Sequence, residues 1–106
     1  MYSLIFYVPE SHAEEVKSAL FIKGAGRYDN YDCCSWQVKG EGQYRPLEGS
    51  NPFKGETDKI EKAPEFKVEM IVKDELIKDV LEELIRVHPY EEVAYFVHKV
   101  STLESL

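Results

Sequence analysis

Residues 2–8, YSLIFYV, constrain the fold more than any other segment of the chain. Aromatic and branched side chains favour an extended backbone, and Pro9 stops the run. Leu4, Phe6 and Val8 fall on one side of such a strand, and Ile5 and Tyr7 fall on the other. A strand that is apolar on both faces belongs in the middle of a sheet with cover on each side.

The segments that follow supply the rest of that sheet. Ser11 and Glu14 have the spacing of a capping box and predict a helix start. Ala13, Val16, Ala19 and Leu20 form its apolar face, with Gly24 as the left-handed residue that ends it. In CCSWQVK, residues 33–39, Cys34, Trp36 and Val38 alternate with Ser35, Gln37 and Lys39, the pattern of a half-buried strand. KGEGQYRP predicts a turn into a short returning strand, and LEGSNPFKGETD an irregular loop. Residues 65–72 alternate again and predict a third strand. Asp74 is placed to cap a second helix with Ile77, Val80, Leu81, Leu84 and Ile85 as its buried stripe. This helix must end near His88, because a residue before proline is driven out of the α region. VAYFVHKV predicts the last strand.

The order β-α-β, hairpin and long loop, β-α-β predicts an α+β, ferredoxin-like βαββαβ sandwich: four antiparallel strands with two helices on one face. At 106 residues, 43% of them hydrophobic, the chain is expected to form a single domain over 1–106. Its two cysteines, Cys33 and Cys34, are adjacent and cannot close a disulfide framework, which favours a reduced cytoplasmic setting. Neither a signal peptide nor an apolar run of about 20 residues is visible. The net charge is −7, with 5 basic against 7 acidic side chains in residues 1–53 and 8 against 13 in residues 54–106. That sign excludes nucleic acid and anionic membrane as partners. The sheet face away from the helices would leave Ile5, Tyr7, Ile71 and alternate residues of the last strand in water. A homo-oligomer, dimer or trimer, is therefore expected.

The segments FYVPESH, ALFIKGAGRYDNYDCCSW, KGEGQYRPLEGSNPFKG, EFKVEMIV and HPYEEVAY together resemble the PII/CutA-like domain inserted in the middle of Nif-three-like (YqfO-like) proteins. The resemblance covers nearly the whole chain. In that family the insert separates two halves of a domain that binds a pair of metal ions. No counterpart of those ligands is present, so the chain resembles a standalone copy of the insert, and the di-metal chemistry does not carry over. The resemblance implies a small cytosolic binding or sensing module rather than an enzyme by itself. The alternatives are a protein-interaction module that uses the exposed sheet or the 40–58 loop to dock a protein partner, and a metal-dependent hydrolase.

In the predicted topology, His12, the loops around Glu41 and residues 50–53, and the 88–92 corner share one edge of the sheet. Gly24, Gly26, Cys33 and Asp74 lie at the other, about 20 Å away. An imidazole beside carboxylates suits a divalent transition metal, which makes His88 and Glu91 the metal candidates. A competing role for His88 is structural, since a histidine in the last helical turn meets free carbonyls and the negative end of the dipole. His12, Tyr90 and Glu92 are ligand-binding candidates at the same edge. In PII/CutA-like relatives the connection between the middle strands meets ligands, which adds Tyr44, Ser50 and Asn51. Cys33 and Cys34 would point to opposite sides of a strand and are not expected to share an ion. Gly24 to Gly26 follows a helix rather than preceding one, so no helix N-terminus there awaits a phosphate.

Overall fold

A computed structural model describes residues 1–106. Strand β1 (Tyr2–Pro9) leads through a 3₁₀ turn to helix α1 (Ala13–Ile22). Strands β2 (Trp36–Tyr44) and β3 (Glu61–Val72) follow, then helix α2 (Ile77–Val87) and strand β4 (Tyr95–Lys99). The sheet order is β2-β3-β1-β4 and every pairing is antiparallel. This is the ferredoxin-like arrangement, with β1 in the interior as its two apolar faces require.

Both helices pack on one face. Leu4, Phe6 and Val8 of β1 and Val68, Met70 and Val72 of β3 meet Val16 and Leu20 of α1 and Val80 and Leu84 of α2 in one buried cluster. Burying a side chain of this size contributes roughly 1.5–3 kcal/mol. The expected stripe of α2 is wider than the groove that receives it, because Ile85 remains exposed. No helix is long and apolar enough to cross a membrane.

Neither predicted cap is made. The chain turns through a 3₁₀ segment, Glu10–His12, before α1 begins, and this puts His12 at the N-cap position. Ser11 Oγ pairs instead with His12 Nδ1 at 2.8 Å. Asp74 lies in a second 3₁₀ turn (Asp74–Leu76), where its carboxylate takes Lys99 Nζ at 2.5 Å and the N-terminal amine. Gly24 does end α1 in the left-handed region, at φ 97°.

The middle of the chain departs further from expectation. β2 starts at Trp36, so Cys33 and Cys34 precede it, Cys33 with φ 55° and exposed. The alternation along β2 is real, but its apolar side faces away from the helices. Trp36 and Val38 are exposed, while Gln37 turns inward and accepts a hydrogen bond from Lys17 Nζ at 2.7 Å. Gly40 and Gly42 form no turn: β2 runs straight through them to Tyr44, paired with a β3 that begins four residues earlier than expected, at Glu61.

Candidate functional site

The β2–β3 ribbon outruns its neighbour. β1 is paired with β3 only as far as Pro9 opposite Glu65, whereas β2 continues to Tyr44 opposite Glu61. The projecting end is met by the 45–60 loop and by the corner between α2 and β4. The topology thus gathers at one edge the segments that the sequence order placed there.

Glu65, which reads from the sequence as an ordinary strand residue, organises this edge. It accepts a hydrogen bond from Tyr90 Oη at 2.7 Å. Its carboxylate lies over Gly42: a Cβ on that glycine would sit 2.1 Å from Glu65 Oε1 and 2.4 Å from its Cδ. The missing side chain on β2 is therefore the space the carboxylate occupies. Tyr44 donates from Oη to the Lys54 carbonyl at 2.6 Å and fastens the returning loop to the strand end. The rings then stack in series, with centroids 5.9 Å apart for Tyr44 and Tyr90, 6.1 Å for Phe53 and Tyr90, and 5.4 Å for His12 and Phe53 in an edge-to-face contact. Asn51 N–H donates to Glu91 Oε1 at 2.9 Å and ties the loop to the corner.

Between loop and corner lies a cavity of about 440 Å³. Tyr44, Phe53 and Tyr90 wall it, and Glu65, Glu91, Glu92, Ser50 and Arg45 also line it. Ser50 Oγ is committed to closing a turn on the Leu47 carbonyl at 2.7 Å. Glu92 is exposed at the rim. Burial and the nearby Glu61 and Glu65 carboxylates push the Tyr44 phenol up from its usual 10.0. The Tyr90 phenol rises further, through burial first and then its bond to Glu65.

His88 belongs to the scaffold of this edge. It is only 6% exposed. Its Nδ1 accepts the Tyr90 N–H at 3.1 Å, so the proton resides on Nε2, which donates to the Tyr7 carbonyl at 2.7 Å. Tyr7 N–H bonds to the Ala94 carbonyl just before β4 begins, and His88 supplies the donor that the Tyr7 carbonyl takes. Burial holds the imidazole below its usual 6.5, partly offset by the Tyr7 bond and by Glu65.

The His88 ring has no nitrogen free for a divalent metal. Both nitrogens of His88 are occupied, Glu91 holds the Asn51 amide, and His12 Nδ1 is paired with Ser11. No group of three or more His, Cys, Asp or Glu side chains converges anywhere in the chain. Of the two expected metal ligands, His88 is placed with both nitrogens in hydrogen bonds and no lone pair to give, and Glu91 accepts one bond from the Asn51 amide. Of the ligand candidates, Tyr44, Ser50, Tyr90 and Glu92 line the cavity, His12 braces Phe53, and Asn51 contributes its backbone amide.

The fold is that of a PII/CutA-like domain. CutA1 from Pyrococcus horikoshii superposes on 97% of the chain with a TM-score of 0.69 at 20% identity and is itself 86% covered. No family model matches the sequence. The Bacillus cereus protein related to NIF3 superposes on 95% of the chain with a TM-score of 0.81 at 35% identity, over 26% of its own length. A GTP cyclohydrolase 1 type 2 homolog of Halalkalibacterium halodurans is 39% identical over 101 residues, 95% of this chain and 27% of that protein. The chain is thus similar over nearly its whole length to one segment of these proteins, and it spans about a quarter of the length of the curated relatives it matches.

Proposed function

We propose that the chain is a small-ligand binding module, with the cavity between Tyr44, Phe53 and Tyr90 as its site and the open sheet face as the surface on which copies assemble into a cytoplasmic dimer or trimer. The observation that carries the first half is the convergence of three aromatic rings from three separate segments on one concavity, held open by side-chain bonds of the rings themselves to Glu65 and Lys54. Its volume of about 440 Å³ lies within the range of small-molecule sites, roughly 300–1,000 Å³. Such sites combine apolar walls with a few fixed polar groups, as here.

Assembly is supported by the opposite side of the sheet. Trp36, Ile5 and Phe96 lie in one row across β2, β1 and β4, through Glu69 of β3, and Val38 sits beside Lys67 in the next. Trp36 and Phe96 are 58% and 57% exposed. Large apolar side chains exposed together on one sheet face, here between Glu69 and Lys67, support a protein contact.

Neutral indole is a suitable first probe of the cavity, read by backbone amide NMR. Shifts should concentrate on residues 44, 53 and 90–92 and disappear in Phe53→Ala. Shifts spread evenly over the surface, or equal in the variant, would remove the cavity as a binding site.

A further inference from the structure

We infer that the ligand of this cavity is an organic cation, an apolar body carrying an ammonium group, and not a nucleotide or other anion. This rests on reading the cavity as a ligand site and adds the charge of its occupant. Three carboxylates line it, Glu65, Glu91 and Glu92, against one guanidinium, Arg45. Glu65 accepts one bond from Tyr90 and Glu91 one from Asn51. An ionised carboxylate has about four acceptor sites, so each retains capacity for a donor. Glu92 stands at the rim with its carboxylate exposed. Tyr44, Phe53 and Tyr90 line the cavity, and an ammonium on a hydrocarbon stem is attracted to an aromatic face while its stem packs on apolar surface. Both phenols are displaced upward, by burial first and then by the neighbouring carboxylates, Glu61 and Glu65 for Tyr44 and Glu65 for Tyr90. A phosphate group placed here would meet those carboxylates at short range with one arginine to offset them, and the chain as a whole carries −7.

Three probes of similar shape separate charge from shape: tryptamine, indole and indole-3-acetate, titrated into the full chain with amide NMR as the readout. Tryptamine should bind about tenfold more tightly than indole, and indole-3-acetate more weakly than indole. Glu92→Gln, a change at an exposed position, should weaken tryptamine about threefold and leave indole unchanged. Raising the ionic strength from about 0.01 M to about 0.15 M should narrow the gap between the charged probes. If indole binds at the cavity and the acetate binds as well as the amine or better, the cation inference falls while the cavity stands. If none of the three shifts residues 44, 53 and 90, the cavity reading fails and takes this inference with it.

Discussion

Gly42→Ala tests whether the Glu65 carboxylate is positioned by the glycine opposite it. The new Cβ would lie 2.1 Å from Glu65 Oε1 and 2.4 Å from Cδ, against an ordinary contact distance of 3.4 Å or more. The carboxylate must swing aside by more than an ångström, and the 2.7 Å bond from Tyr90 cannot survive that movement. A hydrogen bond to a charged group is worth about 1.5–3 kcal/mol, and the half-exposed Glu65 recovers part of it from water, leaving a loss of about 1–2 kcal/mol. Replacing glycine by alanine in a strand returns roughly 0.5 kcal/mol. The net expectation is a destabilisation of about 0.5–1.5 kcal/mol in denaturant unfolding. In a Glu65→Ala background the same substitution has nothing to strike and should be neutral or slightly stabilising, which gives a coupling of about 1–2 kcal/mol in the double-mutant cycle. NMR-resolved titration should also show the Tyr90 phenol moving back toward its usual 10.0 in the single variant. An equal cost of Gly42→Ala in both backgrounds would refute the steric link.

Three further substitutions probe other parts of the molecule. His88→Ala leaves the Tyr7 carbonyl and the Tyr90 amide without partners and opens a void, and should cost about 2–4 kcal/mol in denaturant unfolding. Because the folded imidazole is held below its unfolded value of 6.5, the unfolded chain binds the proton first. The stability His88 contributes is complete above that value and declines as pH falls through it, so the pH slope between about 7 and 5 should be shallower in the variant. Trp36→Glu adds a charge to the open sheet face and should shift sedimentation toward monomer while leaving intrachain packing intact; a wild-type chain that is already monomeric at micromolar concentration would overturn assembly on this face. Gly24→Ala combines φ 97° with a Cβ 2.7 Å from Leu76 Cδ1 and should cost about 1–2 kcal/mol, seen as a Tm several degrees lower; an unchanged Tm would deny the close approach of α1 to the turn before α2.

Strand periodicity made β1 and β3 legible because their apolar sets are long and uninterrupted, and element order then placed His12, Phe53 and the 88–92 corner together. β2 shows the limit of the same signal. A period of two separates Trp36 and Val38 from Gln37 but does not say which set the helices cover; the register with β3 puts Gln37 opposite Val68 on the helix side, where it meets Lys17 of α1. The cap signals at Ser11 and Asp74 lost to 3₁₀ turns and to nearer partners. His88 was readable as a helix stop from Pro89, whereas its bond to Tyr7 spans 81 positions and follows from where β4 leaves β1. Glu65 carried no local mark at all. Its only trace was Gly42, and that trace has meaning only once β2 is known to run straight past β3 in this register.

The cavity is also the part of the molecule that the fold leaves free. The core is complete without it: Leu4, Phe6, Val8, Val68 and the helix residues above them bury one another with no contribution from residues 44–53. Phe53 is 52% exposed, and a large apolar ring in water costs area that packing on His12 and Tyr90 only partly recovers, since such ring contacts are worth about 0.5–1.5 kcal/mol. The likeness to CutA1 is a likeness of fold, and the proposed ligand site rests on the cavity walls alone. A ligand that covers Phe53 and Tyr90 and neutralises Glu92 removes the exposed ring area and relieves the crowding of like charge at the rim together, as an organic cation does and an anion does not.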